Sequence, residues 1–412
     1  MDAHQELLSR LARDNGSKLV LLVLDGVGDL RNAQQSQTAL EKAATPNLDA
    51  LAAGASLGRL VPVATGITPG SGPGHLALFG YDPRRPEVDI GRGVLEALGL
   101  GLEIGAGQVA ARGNFATADG DGLLTDRRAG RIPTSECERL CARMSEAVAG
   151  VDFGADGQRI EVAVHAGEGH RFVLVLSGDD LGAEIADTDP QKLGVAPLAA
   201  VARDPGSAAT AAGIDRVVAA LDAVLEDEPQ ANRVLLRGFS APPSLPSLPS
   251  LYRVRCGAFA GYPLYRGVAG ACGMEVVPCG KRFADLLETV AERWDDFDFF
   301  FLHVKQTDQA GEDGNLDAKA AVLEEVDRDF PRLLDLGPDV IAITGDHSTP
   351  SPMAAHSWHP VPLLVHGRNA YRDRTTAFDE DQATLGTLGT LPARELLGLM
   401  LAHAGRLAKF GA

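Results

Sequence analysis

The stretch TGDHSTPSPMAAHSWHP, residues 344–360, is the part of the sequence that decides the fold. It lies between two apolar runs, Val340–Thr344 and 361–365, and its Asp346 and His347 follow directly after the first run. A short continuous apolar run with an acidic residue at its end is typical of a buried strand that carries a polar group at its carboxyl end. The stretch therefore predicts a strand, a polar loop and a second strand.

Two other apolar runs show the same pattern. Leu19–Leu24 ends at Asp25, and Phe299–Val304 is followed by Lys305 and Asp308. Helical stretches lie between apolar runs of this kind. All four runs, including 361–365, therefore indicate buried parallel strands of an α/β fold, a mostly parallel sheet flanked by helices. Ligands of such sheets gather at the carboxyl ends of the strands, so we expect these polar side chains to meet at one edge.

Three helices are expected between the strands, at 45–53, 283–294 and 319–330. Pro331 is expected to end or kink the last of them, because proline cannot donate the helical hydrogen bond. The prolines that recur in PPSLPSLPSL at 242–251 predict an extended segment without a helix.

The middle of the chain differs from the rest. From about residue 105 to 200, short strand-like pieces alternate with turns rich in Gly and Asp. This pattern indicates a smaller α+β domain inserted into the larger one. We therefore expect a discontinuous domain at 1–104 and 201–412 around an insert at 105–200.

Composition excludes several classes of partner. The chain has 412 residues with 38 Lys and Arg against 56 Asp and Glu, a net charge of −18, so it lacks the basic surface that nucleic acids and anionic membranes require. The apolar run at Leu19–Leu24 is too short for a signal segment or a membrane span. The five cysteines are an odd count in a long chain, which argues against a disulfide framework. We expect a cytoplasmic protein with a small anionic substrate.

Acidic and histidine side chains form the most informative constellation. Asp346, His347, His356 and His359 lie within one short stretch, and Asp25 and Asp308 are expected at the same sheet edge. Carboxylate oxygens and imidazole nitrogens are the ligands that divalent metals take from proteins. The set predicts a metal centre, although each histidine taken alone is also consistent with a polar loop.

Ser71 is the candidate nucleophile. It lies in TPGSGPGHLALFGYDP, residues 68–83, where a glycine-rich turn precedes a helical run and backbone N–H groups can face an anion. Metal coordination would deprotonate a serine hydroxyl there. His75, one helical turn later, either touches the site or packs in the core, and we expect packing.

Four arginines crowd the start of the expected insert: Arg112, Arg127, Arg128 and Arg131. The guanidinium fork binds carboxylate and phosphate with two hydrogen bonds. In an acidic chain, such a cluster predicts a local anionic ligand, and a solvated charged turn is the alternative. His170 and Arg171 are further possible substrate contacts.

A series of motifs in this order resembles the archaeal-type 2,3-bisphosphoglycerate-independent phosphoglycerate mutases of the alkaline phosphatase superfamily. The resemblance covers residues 20 to 365. The motifs are VLDGVGD, PGSGPGHLALFGYDP, GRGVLEALG, ARGNFAT, DRRAGRI, DTDPQKLG, LLRG, GMEVV, HVKQTDQAGEDG, TGDHSTP and HSWHPVPLL.

The resemblance implies an alkaline-phosphatase-like domain with an inserted substrate domain, which closes over the site to exclude water. It implies an isomerase of glycolysis and gluconeogenesis that interconverts 3-phosphoglycerate and 2-phosphoglycerate through a phosphoserine. Two divalent metal ions would be the cofactors, and 2,3-bisphosphoglycerate would not be needed. The partner is then a small phosphorylated carboxylic acid.

The family's site residues carry over to matching positions of this chain. Ser71 corresponds to the nucleophile, and one metal would be bound by Asp25, Ser71, Asp346 and His347. The other would be bound by Asp308 and His356. The arginines Arg112, Arg127, Arg128 and Arg131 would bind the carboxylate or glycerate, and Lys305 would neutralise phosphate.

One position departs from the family pattern. Glu312 stands where the family commonly has a histidine four residues after the aspartate of TDxxGH. Glutamate is a harder ligand than imidazole and favours Mn²⁺ or Mg²⁺ over Zn²⁺. Asp313 and His359 are alternative third ligands of this site.

Two other functions stay open at this point. One is a different enzyme of the same superfamily, a metal-dependent phosphatase or a sugar-phosphate mutase, because the metal core is shared and only the insert discriminates. The other is a non-catalytic relative that binds phosphoesters, which the Glu312 departure makes conceivable.

Overall fold

The computed structural model describes residues 2–88, 90–154, 157–242 and 245–411. The strands in chain order are β1 Leu19–Leu24, β2 Ser56–Val61, β3 Gln108–Ala118, β4 Leu124–Asp126, β5 Glu161–Ala166, β6 Arg171–Ser177, β7 Arg233–Ser240, β8 Cys256–Ala260, β9 Glu275–Val276, β10 Phe299–Val304, β11 Val340–Thr344, β12 Val361–Gly367 and β13 Gly389–Pro392. The helices are α1 Ala3–Leu11, α2 Ala39–Lys42, α3 Pro46–Ala52, α4 Ser71–Leu78, α5 Arg92–Gly99, α6 Thr134–Val148, α7 Ala208–Val224, α8 Leu248–Tyr252, α9 Pro263–Ala271, α10 Phe283–Glu292, α11 Gln306–Glu312, α12 Leu316–Leu334, α13 Glu380–Leu385 and α14 Leu396–His403.

The chain divides into two compact units. Unit 1 comprises Met1–Asp89 and Ser244–Ala412, and unit 2 comprises Ile90–Pro243. The expected insert at 105–200 lies inside unit 2, but the structure places both boundaries elsewhere. Unit 2 is wider because β7 pairs with β3 in one sheet and α5 packs against both strands.

Unit 1 is built on an eight-stranded sheet in the order β13-β2-β12-β11-β1-β10-β8-β9. Its centre, β11-β1-β10, is parallel, and every residue of these three strands is buried. Strands that are buried on both faces need an uninterrupted apolar sequence, and these three strands could therefore be identified from the sequence. The predicted mostly parallel sheet flanked by helices is confirmed.

The strand at the end of the deciding stretch runs the other way. β12 pairs antiparallel with both β11 and β2, whereas a parallel strand was expected at 361–365. A parallel neighbour requires a long crossover, usually a helix, and the described segment between β11 and β12 contains none. The loop at 345–360 instead reverses the direction of the chain, so that β12 runs antiparallel beside β11.

The structure corrects two expectations about proline, that Pro331 would end its helix and that 242–251 would hold none. Helix α12 continues through Pro331 to Leu334, and the carbonyl of Asp327, which proline leaves without its helical donor, accepts a hydrogen bond of 3.0 Å from Asn47 Nδ2. Part of 242–251 is helical, since α8 begins after Ser247 with Pro249 in its first turn, where no helical N–H is needed. The rest of that segment includes residues 243 and 244, which lie outside the described residues.

Unit 2 is an α+β structure. Its five strands form one sheet, in which β3 pairs antiparallel with β4, β6 and β7, and β5 extends it beside β6. The apolar faces of α6 and α7 bury their side chains in the core of this unit. Among the helices of the described ranges, in either unit, none is both long and apolar enough to span a membrane.

Candidate metal centre

Three neighbouring strands of unit 1 bring the acidic side chains together. Asp25 follows β1, Asp308 lies in α11 just after β10, and Asp346 with His347 follows β11. Because β10, β1 and β11 are adjacent and parallel, their carboxyl ends meet at one edge of the sheet. All four side chains are buried.

The first group of ligand atoms converges on one nitrogen. Nε2 of His347 lies 3.3 Å from Oδ1 of Asp25, 3.3 Å from Oδ2 of Asp346 and 3.3 Å from Oγ of Ser71. Ligands at about 2.1 Å from a divalent ion are separated by roughly 3.0–3.4 Å. Each of the three oxygens therefore lies at the distance from His347 Nε2 that separates two ligands of a single cation.

Two of these oxygens lack the partners that buried carboxylates require. Asp25 Oδ1 and Asp346 Oδ2 are fully buried yet accept no hydrogen bond from the described residues. An ionised oxygen in such a position is costly unless a cation or a donor compensates it. Both oxygens belong to a group of side chains whose ligand atoms lie within 4.8 Å of one another. The residues present therefore fit a divalent cation.

Hydrogen bonds fix the tautomer of His347. The Thr349 hydroxyl donates to Oδ1 of Asp308 at 2.5 Å. The hydroxyl oxygen of Thr349 also lies 3.0 Å from Nδ1 of His347. Since a hydroxyl has one proton to donate, it accepts from the imidazole, and Nδ1 carries the hydrogen. The lone pair of His347 is then on Nε2 and points into the first group.

The second group centres on Asp308 and His356. Nε2 of His356 lies 3.5 Å from Oδ1 of Asp308 and 3.5 Å from Oε1 of Glu312. The other ring nitrogen donates to the carbonyl of Pro69 at 3.1 Å, which leaves Nε2 as the acceptor. Nδ1 of His347 is within reach of this group but donates to Thr349, so we assign His347 to the first group.

The remaining ligand candidates lie outside both groups. His359 bonds to Ser357 through Nδ1 and stacks on Trp358, and Asp313 ends α11. Neither belongs to a potential metal-binding group among the described residues, and Glu312 does not either. Glu312 is half exposed, and its carboxylate is the one that approaches His356.

Positive groups hold the buried carboxylates in their ionised form. Burial alone would raise the pKa of Asp25, but a hydrogen bond from His303 and the positive charge of Lys305 hold it well below its usual range. Nζ of Lys305 lies 3.4 Å from Oδ2 of Asp25 and also contacts Asp308. Burial would lower the pKa of Lys305, and these carboxylates raise it instead, so the ammonium stays charged.

Ser71 begins helix α4. Gly70 precedes it in an extended conformation, so the Ser71 side chain and the first N–H groups of the helix lie at the same end, where a helix carries partial positive charge. Nδ1 of His75 donates to the carbonyl of Ser71 at 2.8 Å and lies 3.2 Å from Oδ2 of Asp346. His75 thus connects the backbone of Ser71 to the carboxylate of Asp346, and it also packs as expected, because its ring is fully buried against Phe79, Tyr265 and Phe301.

A glycine allows the segment after Asp25 to lie close to Asp308 and Thr349. Gly26 follows Asp25 with a φ of +61°, and a Cβ there would lie 2.4 Å from Oγ1 of Thr349 and 2.6 Å from Oδ1 of Asp308. Only glycine fits a backbone that is both left-handed and this close to its neighbours.

Sequence reasoning missed several residues around the first group. Nε2 of His303 donates to Oδ2 of Asp25 at 2.9 Å, and its ring stacks on Tyr265 with centroids 3.6 Å apart. Burial lowers the pKa of His303 despite the neighbouring carboxylate. A histidine inside the otherwise apolar run of β10 was the available signal, whereas nothing local marked Tyr265 or Thr349.

In unit 2, arginines gather around His170. Burial lowers the pKa of His170 to about 4, and the charges of Arg171, Arg112, Arg128 and Arg131 act in the same direction. Burial likewise lowers the pKa of Arg112 to about 10, although Glu96 at 3.0 Å partly offsets it. The unit therefore has a site of concentrated positive charge.

Three further arginines of unit 2 differ in their surroundings. Arg92 and Arg237, which sequence reasoning missed as site residues, add to the positive charge at Arg112. Arg127 instead forms a two-bond ion pair with the buried Asp189, at 2.7 and 2.6 Å. Arg112 and Arg127 therefore each have an acidic partner within the unit, and the pair of Arg127 is the closer of the two, with two hydrogen bonds.

A protein-family model described as 2,3-bisphosphoglycerate-independent phosphoglycerate mutase matches residues 52–231. A Thermotoga neapolitana protein named "probable 2,3-bisphosphoglycerate-independent phosphoglycerate mutase" is 49% identical over 408 residues, which cover 99% of each chain. A Thermus thermophilus protein of the same name is 48% identical over 409 residues, 98% of this chain and 99% of that protein.

Two solved structures are similar over nearly the full length. A protein from Pyrococcus horikoshii has a TM-score of 0.80 and 31% identity, covering 96% of this chain and 99% of that one. A cofactor-independent phosphoglycerate mutase from Thermoplasma acidophilum has a TM-score of 0.71 and 30% identity, covering 94% of this chain and 100% of that one.

Proposed function

The chain belongs to the family of 2,3-bisphosphoglycerate-independent phosphoglycerate mutases, and from this premise we propose how it works as a mutase. It is an isomerase that interconverts 3-phosphoglycerate and 2-phosphoglycerate. The phosphoryl group passes through Ser71, two divalent cations are the cofactors, and 2,3-bisphosphoglycerate takes no part.

The observation that carries the mechanism is the position of Ser71. Its Oγ is 3.3 Å from Nε2 of His347, the nitrogen at which the carboxylates of Asp25 and Asp346 also converge. A serine hydroxyl is a weak nucleophile until it loses its proton, and a shared cation site is the simplest way to achieve this. No residue other than Ser71 in this group is a nucleophile of that kind.

We propose that Asp25, Ser71, Asp346 and His347 hold one cation, and that Asp308, His356 and Glu312 hold the other. When bound, the cations would lower the pKa of the Ser71 hydroxyl and neutralise charge on the phosphoryl oxygens. The half-exposed carboxylate of Glu312 supports an oxygen-rich second site, which favours Mn²⁺ or Mg²⁺ over Zn²⁺.

The chain's own groups perform the remaining steps. Ser71 Oγ attacks phosphorus as the bond to the substrate oxygen breaks, which leaves phosphoserine and bound glycerate. The other glycerate hydroxyl then attacks the phosphoserine and restores Ser71. Lys305, whose ammonium stays charged beside Asp25 and Asp308, is proposed to offset phosphate charge during both transfers.

Substrate recognition is assigned to unit 2. We propose that Arg112, Arg128 and Arg131 bind the carboxylate and glycerate oxygens, supported by the positive charge gathered around His170. Arg127 was placed in the same set from sequence; its pair with Asp189 supports a role in holding the neighbouring arginines instead. Unit 1 would then be the metal-binding, alkaline-phosphatase-like domain and unit 2 the substrate domain.

The cellular setting follows from this substrate class. A phosphorylated carboxylic acid of central carbon metabolism is the partner that the arginines and cations fit, and a cytoplasmic location accords with it. The acidic net charge of −18 gives no support to nucleic acid or a membrane as a partner.

A direct assay tests this function. The enzyme is supplied with Mn²⁺ and 3-phosphoglycerate without any bisphosphoglycerate, and both 2-phosphoglycerate and free phosphate are measured. We expect 2-phosphoglycerate to form with little free phosphate. Free phosphate without 2-phosphoglycerate would instead assign a phosphatase, and no turnover with any divalent metal would assign a non-catalytic relative.

A further inference from the structure

A lysine is completely buried beneath the metal centre. Lys319 lies on α12 with 0% of its surface exposed. Burying an ammonium group is costly unless hydrogen bonds and counter-charges compensate it, so a lysine in such a position calls for a reason. It is not a metal ligand, because an ammonium group has no lone pair to offer.

The ammonium group of Lys319 joins two backbone segments. Nζ donates to the carbonyl of Thr349 at 2.8 Å and to the carbonyl of Gly28 at 3.2 Å. Oδ2 of Asp29, at 3.7 Å, supplies the counter-charge. Burial lowers the pKa of Lys319, and the negative charges of Asp29, Glu380 and Asp308 act against this shift.

These two segments carry the ligands of the first cation. Gly28 follows Asp25 by three residues, and Thr349 follows His347 by two. They are in direct contact, because Thr349 N donates to Gly28 O at 3.1 Å and a Cβ on Gly28 would lie 2.0 Å from Oγ of Ser348. The Thr349 hydroxyl also forms hydrogen bonds with the side chains of Asp308 and His347.

We propose that Lys319 is a positioning residue that sets cation affinity by clamping the segments after Asp25 and after His347 in one register. This inference rests on the proposed two-cation function. In its absence, the carbonyls of Gly28 and Thr349 would lose a common donor, and the ligand atoms that converge at 3.3 Å would be held less closely. The ammonium group of Lys319 is not itself a metal ligand.

The chain offers a matched control for this clamp. Nζ of Lys18 also donates to two carbonyls, those of Trp294 at 2.7 Å and Phe297 at 2.6 Å. Lys18 precedes β1 and therefore lies at the amino end of the strand whose carboxyl end carries Asp25. Loss of either lysine removes two lysine–carbonyl bonds, but only Lys319 lies beside the ligand segments.

The experiment measures Mn²⁺ binding by the full-length protein without substrate, from the electron paramagnetic resonance signal of free Mn²⁺. Lys319→Met, Lys319→Gln and Lys18→Met are compared with the unaltered chain, and circular dichroism confirms that each is folded. We expect Lys319→Met to weaken Mn²⁺ binding about 10- to 100-fold, as loss of an outer-shell partner does. Lys319→Gln, which keeps one donor group, should fall between, and Lys18→Met should bind as the unaltered chain does.

The thermal melt with and without Mn²⁺ supplies a second measurement. Cation binding raises the melting temperature by mass action, so the rise should shrink in Lys319→Met and persist in Lys18→Met even if both are destabilised. Equal Mn²⁺ affinity in Lys319→Met and the unaltered chain, or equal weakening in Lys18→Met, would overturn the proposal. If the unaltered chain binds no Mn²⁺, the two-cation function itself fails, which is a separate outcome.

Discussion

Replacing Thr349 with valine tests how the metal-binding imidazole is oriented. The Thr349 hydroxyl donates to Asp308 Oδ1 at 2.5 Å and accepts from Nδ1–H of His347 at 3.0 Å. Valine has nearly the same shape but no hydroxyl, so it removes both bonds with little change in packing. Asp308, His347 and Thr349 are all buried, so water cannot easily replace them.

The expected magnitude follows from the groups left behind. Each buried polar group without a partner costs about 1–3 kcal/mol, so the metal-free Thr349→Val protein should lose on the order of 2–6 kcal/mol of unfolding free energy. The imidazole is also released to adopt its other tautomer, which places a hydrogen on Nε2. We therefore expect Mn²⁺ affinity to fall about 10- to 100-fold, the range measured when outer-shell partners of metal-binding histidines are lost.

Two measurements separate these effects. Urea unfolding without metal gives the stability change, and isothermal titration with Mn²⁺ gives the affinity change. Thr349→Ser keeps the hydroxyl and loses one methyl group, so it should bind Mn²⁺ nearly as the unaltered chain does. The reasoning is refuted if Thr349→Val binds Mn²⁺ with unchanged affinity, or if the serine variant is weakened as much as the valine variant.

The other predictions concern the second cation, the substrate site and a buried acid. Glu312→His should raise the ratio of Zn²⁺-supported to Mn²⁺-supported activity, and an unchanged ratio would contradict the ligand role of Glu312. Arg112→Met should raise KM for 3-phosphoglycerate at least about tenfold, since a hydrogen bond to a charged group contributes about 1.5–3 kcal/mol. Arg127→Ala should instead mainly lower stability, by about 1.5–3 kcal/mol, because the buried Asp189 loses the two hydrogen bonds from Arg127 and keeps Arg237, at 3.6 Å, as a cationic partner, and a KM change as large as that of Arg112→Met would refute the distinction. Burial raises the pKa of Asp222 from 3.8 to about 6, so the folded chain holds this proton more tightly than the unfolded chain and loses stability as pH rises between those values. In urea melts Asp222→Asn should lack that loss of up to about 3 kcal/mol, and parallel profiles for both proteins would count against it.

The sheet of unit 1 could be predicted because burial on both faces makes its central strands uniformly apolar. The direction of β12 could not, because strand direction depends on the path of the loop at 345–360, which has no periodic signal. The continuation of α12 through Pro331 was equally hidden, since it depends on Asn47, almost three hundred residues away, donating to the carbonyl of Asp327. Unit boundaries were misplaced for a similar reason, because β7 joins the sheet of unit 2 from beyond residue 200.

The residues of the candidate site likewise differ in whether the sequence alone could identify them. The proposed ligand residues, such as Asp25 and Asp346, stand at strand ends, where the sequence pattern marks them. The groups that orient the ligands do not: Thr349, Lys319 and Tyr265 act through contacts that exist only in the folded chain. His303 is intermediate, because a histidine in an apolar strand is a visible exception to its surroundings.

The central claim is that the phosphoryl group passes through Ser71, and quenching the enzyme in acid during turnover tests it most directly. The Mn²⁺-loaded protein is mixed with 3-phosphoglycerate, stopped and digested, and the peptide containing Ser71 is examined by mass spectrometry. We expect phosphate on Ser71 during turnover, and neither a phosphopeptide nor 2-phosphoglycerate from the folded Ser71→Ala variant. Formation of 2-phosphoglycerate by Ser71→Ala, or turnover of the unaltered chain with phosphate trapped at a different residue, would contradict it.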